Sequence, residues 1–161
     1  MERFLVDEML GALARNLRML GYDAASGSGE LASLAQRAAA EGRWLITRRP
    51  LGEGKPLAVE TLRILPDEPE RQIVHVLRAV GQPPPPSHWF GRCLRCNRLL
   101  EEMAWKEALD AVPEYVARTH RRFRRCAACG RVFWAGTHRE RMCRRIHGWL
   151  REARFRGEEK P

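Results

Sequence analysis

The first apolar run, Phe4-Leu5-Val6, is too short for a helix and stops at Asp7, which predicts a buried strand over 3–6. Behind it Met9, Leu10, Leu13, Leu17 and Leu20 recur at helical spacing, with Gly21 as the stop and Arg15 and Arg18 on the opposite face. A second helix is expected from Glu30 to Glu41, after a Gly-Ser segment at 26–29 and before Gly42. The run at 44–47 (WLIT) reads as another buried strand, 49–56 as a loop with two prolines and two glycines, and 61–65 (TLRIL) as a third strand. Next, Asp67 and Glu70 fit a capping box and Pro69 suits a first helical turn; Ile73, Val74, Leu77 and Val80 form the apolar face, and Gly81 ends the helix. Alternating strands and helices indicate an α/β layer with a mainly parallel sheet over residues 1–81.

The pattern then changes. Pro83 to Pro86 predict a stiff connector over 82–91. Residues 92–136 read as short strands carrying cysteine turns. A basic amphipathic helix and tail follow at 137–161, with Met142, Ile146, Trp149, Leu150 and Ala153 on one side and arginines around the rest.

Cys93-Leu-Arg-Cys96 and Cys126-Ala-Ala-Cys129 are separated by 29 residues. Two C-x-x-C turns can set four thiolates around one ion, and four sulfurs leave no open position for water, so the expectation is a structural zinc. An iron–sulfur cluster uses the same donors, whereas a redox pair needs only one turn. Gly130 supplies permissive backbone after the second pair, the intervening segment must return the chain as an antiparallel excursion, and Cys143 reads as apolar filler. Arg92, Arg95, Arg98, Arg124, Arg125 and Arg131 lie near enough in sequence to offset the site's negative charge. His75 falls on a solvated helix face, while His120 and His138 flank the cysteine turns without being needed as ligands.

Charge sharpens this division. Residues 118–156 hold 13 arginines against Glu140 and Glu152, a balance of +11 that leaves −2 for the rest of a +9 chain. Such a concentrated excess favours a polyanion, through phosphate contacts and counterion release. Arg121, Arg122, Arg124, Arg139, Arg141, Arg144 and Arg145 are the expected contacts. Trp89, Phe133, Trp134 and Tyr115 are either core residues or platforms for unpaired bases. The 44% hydrophobic content fits a folded chain. With no apolar run long enough for a span and no leader-like start, the expected compartment is the cytoplasm, with no membrane partner.

The segments RCLRCNRLL and VPEYVARTHRRFRRCAACGRVFWAGTHRERM resemble the zinc ribbon of Mut7-C proteins. FLVDEMLGALARNLRMLGYD, EGRWLITR and LPDEPERQI resemble the same family in the same order, so the likeness spans roughly 3–142. It implies a PIN-like domain acting on RNA, with acidic side chains at the carboxyl ends of a parallel sheet holding Mg²⁺ or Mn²⁺. Asp7 matches the leading acid, Glu30 matches more loosely, and Asp67 and Glu68 match the later acidic pair. Where the family reads Thr-Arg-Asp, this chain has Thr47-Arg48-Arg49. A cation at about 5 Å from a divalent ion is repelled by up to roughly 7 kcal/mol at an effective dielectric near 20.

Three readings follow. The first is a Mg²⁺- or Mn²⁺-dependent ribonuclease with a degraded acidic site. The second is an RNA-binding protein without cleavage, docking on structured RNA or a ribosome, with Arg49 itself gripping phosphate. The third is a protein-interaction module that docks through the C-terminal helix.

Overall fold

The computed structural model describes residues 1–51 and 57–154. Most of the loop expected over 49–56, and the tail beyond Arg154, lie outside the described residues.

The N-terminal half builds a four-stranded parallel sheet in the order β2-β1-β3-β4. Its strands are β1 (Arg3–Asp7), β2 (Asp23–Gly27), β3 (Trp44–Thr47) and β4 (Thr61–Arg63). The first, third and fourth are those expected from the apolar runs; β2 carries no such signal, since DAASG has neither apolar run nor alternation. Parallel pairing with β1 across five residues, Arg3–Asp23 to Asp7–Gly27, holds that segment extended.

Helices cover both faces, as parallel sheets require. Phe4 and Val6 point to one side, where α1 (Gly11–Met19) and α3 (Pro69–Val80) pack with Leu13, Leu17, Ile73 and Leu77. Leu5 and Leu45 point to the other, against Leu34, Ala35 and Ala38 of α2 (Leu31–Ala40). Met9 departs from its expected place on the apolar face. It lies in a single 3-10 turn, Glu8–Leu10, before α1 begins, and is 65% exposed. The expected capping box at Asp67 is also absent: Glu68 is the N-cap of α3 and makes no side-chain cap bond.

The second half adds an antiparallel sheet, β5 (Glu101–Met103), β6 (Phe123–Arg125) and β7 (Val132–Trp134). Between β5 and β6 two short helices, α4 (Trp105–Ala108) and α5 (Glu114–Thr119), close over Met103 and Phe123 with Ala108 and Val116. The excursion between the cysteine pairs therefore has a small core of its own.

The last helix, α6 (Thr137–Arg154), returns to the first sheet. Ile146 and Trp149 are 0% and 3% exposed and belong to the same cluster as Phe4, Val6 and Leu13. Its apolar stripe supplies core that residues 1–81 alone lack. Each such side chain contributes about 1.5–3 kcal/mol by leaving water. No helix among the described residues is long and apolar enough to cross a membrane.

Candidate metal centre and carboxyl-end site

The cysteine turns form as their spacing requires. The Cys93 N–H donates to the Arg98 carbonyl at 2.8 Å and the Asn97 N–H to the Cys93 carbonyl at 2.9 Å. The second turn repeats this, with Cys126 N–H to the Arg131 carbonyl at 3.0 Å and Gly130 N–H to the Cys126 carbonyl at 2.8 Å. Gly130 has φ 71°, a conformation that disfavours other residues. The four sulfurs lie within 4.8 Å of one another, and among the described residues theirs is the one group of three or more His, Cys, Asp or Glu side chains close enough to hold an ion.

The donor set fits a tetrahedral metal. Zn–S bonds of about 2.3 Å place sulfurs about 3.8 Å apart, and Cys93 and Cys129 are 3.8 Å apart and unbonded. Electrostatics points the same way. The Arg131 backbone N–H draws the Cys129 thiol down to about 7, whereas hydrogen bonding to Cys129 pushes Cys96 up to about 12. One sulfur ionises readily, while the Cys96 and Cys126 thiols are held up, so a cation is needed for them to join it as thiolates.

The spacing puts Arg18 on the face of α1 opposite the apolar stripe, and the arginines close in sequence to the cysteines are the expected source of balancing charge. Arg18 is 6% exposed and reaches from α1 into the first cysteine turn. Its guanidinium donates to the carbonyls of Leu94 (3.0 Å) and Arg95 (2.9 Å) in that turn, and to the Ala24 carbonyl (2.8 Å) and Ser26 Oγ (2.7 Å) on β2. Burial pulls its proton affinity down while the Cys93 and Cys96 sulfurs push it up. No local signal marks Arg18, because its partners in the turn lie more than 70 residues away.

Other bonds complete the joint. Asn97 accepts the Ala24 N–H at 3.0 Å and donates to Asp23 at 2.6 Å. The Phe90 N–H donates to the Met19 carbonyl at 2.9 Å. Gly21 does more than end a helix: at φ 96° its backbone lies so close to His88 that a Cβ would sit 2.5 Å from that carbonyl oxygen.

A second constellation lies at the carboxyl ends of the parallel strands. The chain leaves β1 for β2 on one side and returns to β3 on the other, so the β1–β3 edge is the switch point where α/β sheets form ligand crevices. Asp7 ends β1, is fully buried, and accepts from the Thr47 hydroxyl at 2.8 Å. Arg49 turns back onto it in a two-pronged pair, Nε to one carboxylate oxygen at 2.9 Å and a terminal nitrogen to the other at 3.2 Å. Its remaining terminal nitrogen donates to the Gly29 carbonyl at 2.7 Å.

The other acids stand apart from that pair. Glu30 is exposed at the N-cap of α2. Asp67 pairs with Arg48, and Glu68 lies 3.7 Å from Arg71. The structure thus brings Arg49, not Glu30 or Asp67, to the Asp7 carboxylate.

Of the expected RNA contacts the seven in the second half are exposed, whereas Arg49 is half-buried with its guanidinium engaged by Asp7 and the Gly29 carbonyl. Arg121, Arg122 and Arg124 lie on and before β6, while Arg139, Arg141, Arg144 and Arg145 lie on α6. Several also serve the fold. Arg124 pairs with Glu102 at 3.3 Å and Arg145 with Glu70 at 2.6 Å; Arg121 and Arg139 lie over Trp105 and Phe90. Among the described residues Arg122, Arg125, Arg131 and Arg144 have no carboxylate within 4.0 Å. Of the aromatic candidates, Trp89 is core at 7% exposure, whereas Tyr115 is 69% and Trp134 36% exposed. His120 is occupied with the carbonyls of Val116 and Ala135.

No curated protein and no solved structure matches this chain. The family model of the Mut7-C RNAse domain matches residues 2–146, from the start of β1 into α6. That match covers nearly the whole chain, so this protein belongs to the Mut7-C RNAse domain family.

Proposed function

We propose that this protein binds RNA through its arginine-rich second half and does not cleave it, because Arg49 occupies the carboxylate a catalytic ion would need. The supporting observation is the two-pronged Arg49–Asp7 pair at the sheet's switch point. Asp7 is fully buried, and a buried carboxylate without a partner is costly. Arg49 satisfies both of its oxygens, which leaves little attraction for a second cation. Mg²⁺ or Mn²⁺ at this position would activate water and stabilise a departing oxygen; Asp7, Asp67 and Glu30 are the side chains that would hold it, but Asp7 is paired with Arg49, Asp67 with Arg48, and Glu30 is exposed at the start of α2. Exposed arginines on β6 and α6, with Arg122 and Arg144 unpaired among the described residues, are the proposed phosphate contacts.

The four cysteines are proposed to hold one zinc per chain in a closed, structural site, with Cys93, Cys96, Cys126 and Cys129 as ligands. Elemental analysis of purified protein reads the metal directly, and iron in its place would reject this assignment.

Cleavage and binding are tested together. RNA incubated with wild type in Mg²⁺ or Mn²⁺ should remain intact, while binding weakens steeply with salt. Cleavage by wild type that Asp7→Asn abolishes would overturn the non-cleaving reading in favour of a metal-dependent ribonuclease. In Arg49→Asp, two facing carboxylates replace the ion pair, so stability should fall and then recover when Mn²⁺ is added, as ligand linkage requires. A melting temperature indifferent to Mn²⁺ would show that no ion site lies beneath Arg49.

A further inference from the structure

The groove between the proline connector and α6 belongs to neither site described above. It has a volume of about 900 Å³, within the range of pockets for small organic groups. One wall is the prolines 83–86, held by Trp89, whose indole N–H donates to the Pro84 carbonyl at 3.3 Å. The other wall is the stripe Arg144, His147 and Arg151 of α6, with Leu150 between them. This stripe is adjacent to the one that α6 buries through Ile146 and Trp149, so the helix uses one side as core and offers the other to the groove. Among the described residues no carboxylate lines it.

We infer that this groove takes one unpaired nucleotide of an RNA strand, its base between the prolines and Leu150 and its flanking phosphates on Arg144 and Arg151. The inference rests on the RNA-binding reading and names where single-stranded character is recognised. Prolines lack N–H groups and present flat apolar surface, which suits a base face better than a hydrogen-bonding partner. Arg144 and Arg151 are seven residues apart, about 10 Å along the helix, which brings both within reach of phosphates on either side of one nucleotide. Neither has a carboxylate within 4.0 Å among the described residues. His147 donates Nδ1–H to the Cys143 carbonyl at 2.8 Å and meets Trp89 edge-on at 5.2 Å, which fixes its ring and leaves Nε2 to read a base edge. Charge complementarity selects the occupant: an uncharged apolar peptide would fill the space but leave two cations unengaged. A paired base cannot present its face to the prolines, so duplex RNA gains only the phosphate contacts.

The test compares a short oligouridylate with a short RNA duplex on the full chain, against the double variant His147→Ala/Arg151→Ala. Both replaced side chains are exposed, and melting curves check folding. Wild type should prefer the single strand about tenfold, as stacking of one base allows. The double variant should lose most of that preference and lower the salt slope by about one. Equal wild-type affinity for both RNAs, or a preference the double variant keeps, refutes the groove and leaves the RNA reading intact. Binding to neither RNA refutes both. Crosslinking of a 4-thiouridine oligomer should map to the connector or α6; crosslinks confined to β6 and β7 would overturn the assignment. So would self-association that the double variant abolishes, or an acidic peptide binding in preference to RNA.

Discussion

Replacing Arg18 by methionine keeps an unbranched chain of similar length and removes the buried guanidinium that joins α1, β2 and the first cysteine turn. Three carbonyls, those of Ala24, Leu94 and Arg95, and the Ser26 hydroxyl lose their donor. Each buried acceptor left without a partner costs about 1–3 kcal/mol. Relief from desolvating the cation offsets part of the sum, and water can reach the Ser26 end, so the net loss is about 3–5 kcal/mol, typical for breaking a buried charge network. For a domain of this size that corresponds to a melting temperature lower by roughly 6–20 °C. A second consequence separates this role from plain packing. Arg18 donates to the Leu94 and Arg95 carbonyls inside the turn that carries Cys93 and Cys96, so its positive charge stands beside the sulfur cluster and offsets the negative charge of a metal-bound site. Loss of a group supporting metal ligands from behind lowers metal affinity about 10–100-fold. The assays are thermal melts and competition with a chromophoric chelator. Arg18→Lys should recover part of the metal affinity, since it restores the charge, but little of the stability, because an ammonium cannot span four acceptors in that geometry. A melting temperature within about 1 °C of wild type and unchanged chelator competition would refute the reasoning.

Two further outcomes are expected. Burial pushes the Asp23 carboxyl up, but hydrogen bonds from Arg43 and Asn97 and the charges of Arg43 and Arg92 leave it below its usual range. Its contribution to stability is therefore complete above the unfolded value of about 3.9 and disappears as pH falls through the lower folded value; acid titrations of Asp23→Asn should be less stable at pH 7 and flatter through that window, and a parallel titration would exclude the linkage. Ile146→Ala opens a cavity where α6 meets the first core and should cost about 2–5 kcal/mol in urea melts; if α6 is dispensable to that core, the loss will stay under about 0.5 kcal/mol, as for a surface site.

Much of this protein could be read along the chain, and the reasons are physical. β1 and β3 declared themselves because a strand buried on both faces is a continuous apolar run. The cysteine turns did so because ligand spacing within a turn is fixed by covalent geometry. Arg49 was legible as a departure from the family pattern, but its consequence was not. Sequence shows a cation near an acid, while only the fold shows both of its prongs on Asp7, with Thr47 on the same carboxylate. Sequence also matched Asp67 to a cap, whereas in space it answers Arg48.

The sequence alone determined the class of the fold, the ligand set of the metal centre and the lopsided charge, since each follows from local spacing or from counting. Tertiary structure decided what those parts do to one another. It made β2 a strand although its residues have little preference for one. It turned a helix-surface arginine into a buried bolt between the sheet and the metal turn, and sent α6 back to complete the first core. Those outcomes depend on groups that lie from 20 to more than 70 residues apart in the chain meeting in space, where desolvation and hydrogen-bond geometry, rather than local propensity, set the energy.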